Sequence, residues 1–433
     1  MGYNLILGIL FVLFTCIDNF ETVSIFVDYW KVCATRSKNM AGYYCSIFFI
    51  AVCGVLVGCV SASGFSTDVF VSVDAGGVDY PPCYRQPVLL AVDSSTLLAF
   101  STGRNKTGES KSLCSDPGDG SPNYMCLKRS TDGGVSFHPL QILFAGSGAT
   151  QPDFYVSYYD KELKQVELIF KTPNALLRMY SNDGLQWSTP EEIVPLFNRT
   201  RFQNIGPSVG KGIVLNLQGG QRTLLPFICS SKSETANGDK GACPTCHSCI
   251  LSKQKGGWQI EAVASGGSRE SQLFAFDTAS DGPAPLVVTT ERNMGKLPGH
   301  RKQAYSFDGG MSFADQTVST VPEPATKNWT GIKAGLVGLA NGLLVQSHPN
   351  STSARKDLVL SVSADKGKSW EVGKLSVYHG LAGYSDIDVI ADLTVGVLFE
   401  NGEHGYADKI SLAVVDMREL SSASREHRVK KGV

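Results

Sequence analysis

The chain has 433 residues, with 39 Lys and Arg against 40 Asp and Glu and a formal charge of −1. That balance argues against a nucleic-acid-binding protein, because the clustered basic residues from Arg425 to Lys431 read as a solvated tail rather than a binding stripe. The 45 glycines suit tight turns rather than helix interiors.

In chain order, the segment before about residue 63 carries two apolar runs, Leu5 to Phe14 and Cys45 to Val60, with Arg36 and Lys38 ahead of the second. The second run ends in the small residues Val60-Ser-Ala62-Ser63, which predicts a signal peptide within residues 1–62. An uncleaved membrane anchor, or translation from Met40, are the alternatives. The expected localisation is the secretory pathway, as a secreted, lysosomal or anchored protein.

Residues 63–420 are read as one large domain and 421–433 as a basic polar tail. Short runs rich in Val, Leu, Ile, Phe and Tyr predict strands at Pro87 to Leu90, Leu97 to Ser101, Val166 to Lys171, Leu286 to Thr290 and Lys409 to Val415. Gly, Asn, Asp and Ser clusters separate them, and long 3.6-periodic segments are absent, so the fold class is all-β.

A turn phrase recurs as Ser130-Thr-Asp132-Gly-Gly134-Val-Ser-Phe137, Ser306-Phe-Asp308-Gly-Gly310-Met-Ser-Phe313 and Ser363-Ala-Asp365-Lys-Gly367-Lys-Ser-Trp370. Asp bonds the backbone two residues on, Gly supplies a positive φ, and the closing aromatic pins the turn on a hydrophobic layer, all of which suits a hairpin tip. A fourth copy, Tyr180-Ser-Asn182-Asp183-Gly184-Leu-Gln-Trp187, places Tyr in the Ser position and Asn in the Asp position; Ser252 to Trp258 is a degraded fifth. The spacing is about one propeller blade, 40 to 50 residues plus insertions.

Seven of the twelve cysteines follow residue 63: Cys83, Cys114, Cys126, Cys229, Cys243, Cys246 and Cys249. Their odd number leaves one thiol over. Export favours disulfides over a zinc site in Cys243-Pro-Thr-Cys246-His247-Ser-Cys249, and a bridge from Cys114 to Cys126 would close the loop around Asp116 and Asp119. Asn105, Asn198, Asn328 and Asn350 head glycosylation sequons compatible with the same compartment.

The repeat phrase looks like the Asp-box of sialidases, and single residues outside the repeats extend the resemblance from about Tyr84 to Val415. Cys83-Tyr-Arg85-Gln-Pro87 is similar to the family's Phe/Tyr-Arg-Ile-Pro phrase, and Leu98-Ala-Phe-Ser-Thr-Gly-Arg104 resembles the strand whose last arginine lines the same pocket. Val287-Val-Thr-Thr-Glu-Arg292 resembles the strand of the second carboxylate-binding arginine, and Ser347 to Leu358 supplies the third at Arg355. Guanidinium is always charged and its planar fork can bond a carboxylate bidentately, so three arginines fit a ligand with an ionised carboxylate.

Arg269-Glu270-Ser-Gln272 resembles the phrase whose glutamate activates the nucleophile, and Ala382-Gly-Tyr384-Ser-Asp386 the phrase of the nucleophilic tyrosine. Asp119 is the expected general acid, with Asp116 as the alternative, and Glu400 matches the residue that orients Arg85. Gln86 replaces the usual isoleucine, and Thr102 stands where many relatives have a pocket glutamate. The resemblance implies a six-bladed β-propeller that removes terminal sialic acid with retention through a sialyl-tyrosine intermediate, without metal or other cofactor. Its partners would be sialylated glycans, with no nucleic acid and with membrane association through the N-terminal apolar segment. A trans-sialidase and a catalytically weak sialic-acid-binding lectin are the alternatives.

Overall fold

The computed structural model describes residues 64–72, 83–104, 114, 122–198, 201–217, 219–231, 245–254, 257–276, 284–294, 299–325 and 331–418. The chain divides into two compact units, 1–61 and 62–433. The described residues belong to the second unit. The two apolar runs, the cleavage site, Asp116, Asp119, Cys243, Asn105, Asn328 and the basic tail lie outside them.

Strand and turn account for nearly all of the described residues, with one complete helical element among them, a 3-10 turn at Gly148–Thr150. The all-β expectation holds, and the five predicted strands fall within Cys83–Ala91, Leu97–Arg104, Gln165–Lys171, Leu286–Asn293 and Lys409–Asp416. Among the described residues no helix is long and apolar enough to cross a membrane.

Among the described residues the strands form five hydrogen-bonded sheets in a propeller-like arrangement. The first holds Cys83–Ala91, Leu97–Arg104, Asn123–Ser130 and Gln141–Gly146 in sequence order. In the second, Tyr155–Asp160, Gln165–Lys171, Leu176–Ser181 and Glu191–Glu192 follow one another, and the short strand Gly210–Lys211 pairs parallel with Tyr155–Asp160 at the edge. The third is built on Gly220–Ser230, Cys246–Gln254 and Gly257–Gly266, and the fourth runs from Ser268–Phe276 to Ala314–Pro322.

The expected count of six blades is corrected by the last sheet, which has seven strands. Its strand Glu371–Ala391 is 21 residues long. The first half pairs with Lys356–Ser363 and the second with Thr394–Gly402, so no turn divides the two parts. The N-terminal strand Gly64–Val71 closes this sheet by pairing antiparallel with Lys409–Asp416, Gly64 opposite Val415.

Apolar side chains alternate onto the faces between sheets, as strand periodicity requires. Val88, Leu90, Leu98 and Phe100 of the first sheet pack in one cluster with Tyr155, Leu168 and Phe170 of the second, all of them fully buried except Leu90, which is 5% exposed. Burying each such side chain contributes about 1.5 to 3 kcal/mol.

The repeated turns begin at the last residue of a third strand and lead outward. Ser130 Oγ bonds Asp132 Oδ1 at 2.8 Å and accepts Gly134 N at 2.9 Å, while Asp132 Oδ1 accepts Ser136 N at 2.9 Å. The Ser306 and Ser363 copies repeat these bonds. Glycine is required at Gly310, where φ is +87° and a Cβ would lie 2.4 Å from Leu224 Cδ1. Phe137, Trp187, Phe313 and Trp370 each pack against a hydrophobic cluster.

The fourth copy is shifted by one residue from the predicted alignment. Ser181 and Asp183 perform the Ser and Asp roles, with Ser181 Oγ to Asp183 Oδ1 at 3.0 Å and Gly184 N to Ser181 Oγ at 2.8 Å. The copy has one residue fewer between Asp and the closing Trp, and the hydrogen bonds set its register. The region Ser252 to Trp258 is a hairpin, with Gln254 opposite Gly257, and part of its tip lies outside the described residues.

Of the pairings open to the cysteines, Cys114 takes Cys83 and not Cys126, Cys229 is bonded to Cys249, and Cys126 is a buried free thiol. Strand pairing explains it, since Cys126 lies opposite Ser101 with its side chain in the core. Cys246 is also disulfide-bonded.

Candidate active site

The site is assembled from places where the strand ladder is irregular. Register shifts fall between Arg85 and Val88, between Arg269 and Gln272, between Ala382 and Ser385, and between Lys356 and Leu358. A bulge re-aims side chains that regular alternation would send to the sheet faces. Among the described residues five non-glycine residues have positive φ, and three of them sit here, Gln86 at 62°, Glu270 at 47° and Asp357 at 57°. Holding such residues in this region costs on the order of 1 to 3 kcal/mol each, which the surrounding packing must offset.

Tyr384 and Glu270 meet at the centre, both buried. The Tyr384 hydroxyl donates to Glu270 Oε1 at 2.6 Å, and Arg292 Nη1 donates to the same carboxylate oxygen at 2.9 Å and to Tyr384 Oη at 3.0 Å. Burial, the Glu270 charge and its hydrogen bond push the Tyr384 phenol up to about 12 against the pull of Arg292 and Arg355. Burial also works to raise Glu270, but Arg292, Arg269 and the Tyr384 hydrogen bond outweigh it and hold the carboxyl below its ordinary value. At rest the proton therefore sits on the tyrosine and the glutamate is an anion.

Arg85 Nε donates to Glu400 Oε1 at 2.8 Å, and that oxygen also accepts Gln86 N at 2.8 Å. The second oxygen of Glu400 accepts Tyr384 N at 2.9 Å. One fully buried carboxylate thus ties Arg85 to the backbone of Tyr384. Gly383 makes the approach feasible, because a Cβ there would stand 2.2 Å from Glu400 Oε2. Arg355 lies just before Lys356–Ser363, and its carbonyl accepts Ala382 N at 3.0 Å. Its guanidinium carbon is 5.4 Å from the centre of the Tyr384 ring, and that of Arg85 is 5.5 Å away.

Arg104 closes the first sheet's contribution. Its Nε donates to Thr102 Oγ1 at 3.2 Å, so Thr102, at the position of the missing glutamate, holds this arginine. Arg104 Nη2 stands 3.8 Å from Asp153, whose carboxyl burial pushes up against the pull of Arg104, Arg269 and Lys171. Asp153 and Arg269 line a cleft of about 240 Å³ shared with Phe154, Lys171 and Asn204.

Seven of the eight residues predicted from sequence are therefore placed, and Arg85, Glu270, Arg292, Arg355 and Glu400 each contact Tyr384. Arg104 lies on the Asp153 side, and Asp119 is outside the described residues. Among the described residues no group of three His, Cys, Asp or Glu is arranged to hold a metal ion.

Three further supports complete the site. Tyr406 stacks on both Arg85 and Arg355. Glu323 accepts Asn293 N at 2.8 Å and Arg301 Nη1 at 2.7 Å, bracing the strand of Arg292. Asp386 and Asp388 accept Leu89 N and Ala91 N, each at 2.9 Å, tying the strand of Tyr384 to that of Arg85 across a sheet boundary. Lys333 balances Asp386 at 3.3 Å and Lys211 balances Asp388 at 3.4 Å. Of these, only the Asp386-x-Asp388 alternation two and four residues after Tyr384 was legible as a pattern.

A model of the BNR repeat-like domain matches residues 165–397, more than half of the chain. The chain belongs to the sialidase family with BNR repeats. Among its relatives, a sialidase of Bacteroides fragilis is 24% identical over 390 residues, covering 80% of this chain and 65% of that protein. A sialidase of Micromonospora viridifaciens is 26% identical over 350 residues, 74% of this chain and 50% of its own. The chain thus spans between half and two thirds of the length of these relatives. Among solved structures, the Hadza microbial sialidase Hz136 shares the fold with a TM-score of 0.63 at 19% identity, over 81% of this chain and 69% of that one.

Proposed function

We propose that this protein is an exo-α-sialidase that hydrolyses terminal sialic acid from glycans with retention, Tyr384 being the nucleophile and Glu270 its base. The observation that carries the reading is the buried triangle of Tyr384, Glu270 and Arg292, with all three sides 3.0 Å or less. A lectin needs arginines to hold a carboxylate but has no use for a phenol hydrogen-bonded to a strained, buried glutamate.

In the first half of the reaction Tyr384 Oη bonds to the anomeric carbon as the glycosidic C–O bond breaks. The phenol proton passes to Glu270 over the existing hydrogen bond, and Asp119 gives a proton to the leaving oxygen. In the second half water attacks the anomeric carbon and yields its proton to Asp119, while Glu270 returns the proton to the departing phenol. Arg292 donates to the tyrosine oxygen throughout and offsets its developing negative charge. A neutral phenol suits a substrate that carries its own carboxylate, since a carboxylate nucleophile would be repelled by it. That sialidases use a tyrosine nucleophile is a recognised exception to the two-carboxylate rule of glycosidases.

Arg85, Arg292 and Arg355 would hold the substrate carboxylate, and Arg104 would face the adjoining cleft. The disulfides support export to an oxidising compartment. The test is release of sialic acid from a fluorogenic α-sialoside by the protein and by Tyr384→Phe, with lactose as an added acceptor. Free sialic acid from the unaltered protein alone supports the hydrolase; sialyllactose would redirect the reading to a transferase, and binding without release to a lectin.

A further inference from the structure

Arg85 and Arg355 each lie against two tyrosine rings. One is Tyr384. The other is Tyr406, whose ring centre is 5.1 Å from the Arg85 guanidinium carbon and 4.9 Å from that of Arg355. A single side chain thus touches two arginines that are 270 residues apart in sequence, neither of which is its strand neighbour.

The ring is fixed from several sides. Its turn follows Thr394–Gly402 and is tied by Asp408, whose Oδ2 accepts His404 N at 2.9 Å and Gly405 N at 3.1 Å. A Cβ on Gly383 would stand 3.0 Å from Tyr406 Cδ2, so the ring also rests on the backbone beside Tyr384. Behind it, Cys83, Cys114 and Ala407 form a small apolar cluster that the ring joins.

The chemistry of this contact differs from that of an ion pair. Two guanidinium cations brought together repel; Glu400 already takes Arg85 Nε, and a second carboxylate set between the two arginines would remove the repulsion but would also neutralise the remaining charge that attracts an anionic ligand. An aromatic face attracts the cation through its quadrupole, leaves the charge in place and occupies no in-plane N–H donor.

We propose that Tyr406 is a positioning residue that holds Arg85 and Arg355 at the spacing a substrate carboxylate requires while preserving their charge. The proposal rests on the sialidase reading above. It assigns to Tyr406 an effect on ground-state and transition-state binding alike, because the carboxylate is held throughout the reaction.

The experiment compares the full-length protein with Tyr406→Phe and Tyr406→Met. Calorimetric titration with the glycal 2-deoxy-2,3-didehydro-N-acetylneuraminic acid gives affinity, and α-sialoside hydrolysis gives KM and kcat. Tyr406→Met should weaken glycal binding roughly tenfold, equivalent to about 1.4 kcal/mol, and raise KM to match. It should leave kcat within about threefold. Tyr406→Phe keeps the ring and should restore affinity to within about twofold of the unaltered protein. Should Tyr406→Met not fold, Tyr406→Leu makes the same comparison. Unchanged affinity in Tyr406→Met, or an equal loss in Tyr406→Phe, overturns the proposal while leaving the sialidase reading intact. Failure of the unaltered protein to bind the glycal overturns both.

Discussion

Tyr384 Oη lies 2.6 Å from Glu270 Oε1, the two side chains reaching each other from strands of different sheets across 114 residues of sequence. The bond runs from a phenol raised by burial to a carboxylate kept anionic by Arg292 and Arg269. In the proposed mechanism the proton therefore has one direction to move when the phenol oxygen begins to bond carbon.

Glu270→Gln keeps the shape of the acceptor but removes its capacity to take a proton. Turnover should fall by roughly 10² to 10⁴, with glycal affinity within tenfold. The pH profile follows from the same depression. As the proposed base Glu270 has to be ionised, and its pKa lies below the ordinary 4.5, so the fall in kcat/KM that it causes should come only below about pH 4.5. A limb near pH 6 that disappears in Glu270→Gln would contradict the assignment.

Glu400→Gln should loosen Arg85 and the Tyr384 backbone together, because both oxygens are used. Losing charge-assisted bonds of this kind costs about 1.5 to 3 kcal/mol, a loss of roughly 10- to 150-fold in kcat/KM. The steady-state ratio against the unaltered protein checks it, with far-UV spectra showing an intact fold.

Removing Lys333 alone leaves Asp386 deprived of its nearer fully buried cation. Lys333→Met should destabilise by about 3 to 5 kcal/mol in denaturant unfolding. Adding Asp386→Asn, which retains an acceptor for Leu89 N, should recover part of that loss, and a double variant no more stable than Lys333→Met would show that the pair is not coupled.

His348 is fully buried, with Nδ1 2.8 Å from Pro349 O and Nε2 2.6 Å from Ser361 Oγ. The carbonyl can only accept, so Nδ1 carries the proton and Nε2 accepts from the serine. Burial, helped by Arg301, pushes the imidazole down to about 4. A depressed folded-state value means that the unfolded chain binds the proton first, so stability present above pH 6.5 is lost as pH falls from 6.5 through 4. Linkage sets this at on the order of 3 kcal/mol. Glu323, pushed up to about 6 by burial, has the opposite sign: the folded state takes up its proton first as pH falls. The comparison of unfolding free energy at pH 7 and 4.5 is therefore made against His348→Gln, whose acid loss should be smaller.

What depends on local chemistry is legible in the residues themselves. Short apolar runs broken by Gly, Asn and Asp specify strands and tips, and Ser-x-Asp turns specify their own hydrogen bonds, as at Ser130 and Asp132. Phrases such as Arg269-Glu270-Ser-Gln272 and Gly383-Tyr384-Ser385 pointed through resemblance to two side chains that the fold brings within 2.6 Å of each other. The turn at Ser181 was read one position early, since Tyr180 and Ser181 are equally compatible with a strand end until the Gly184 N–H chooses its acceptor.

Tertiary structure alone decided what depends on distance between distant segments. Whether Glu371–Ala391 turns or runs on is set by its two different partners, Lys356–Ser363 and Thr394–Gly402, and no property of its own residues records that. Cys83 rather than Cys126 meets Cys114 because strand register directs Cys126 into the core. Tyr406 is an ordinary loop tyrosine in the sequence, and it becomes part of the site only when Arg85 and Arg355 are brought under its ring. Side-chain contacts across sheets carry no periodic signal, since periodicity reports the face a residue occupies and not the residue it meets there.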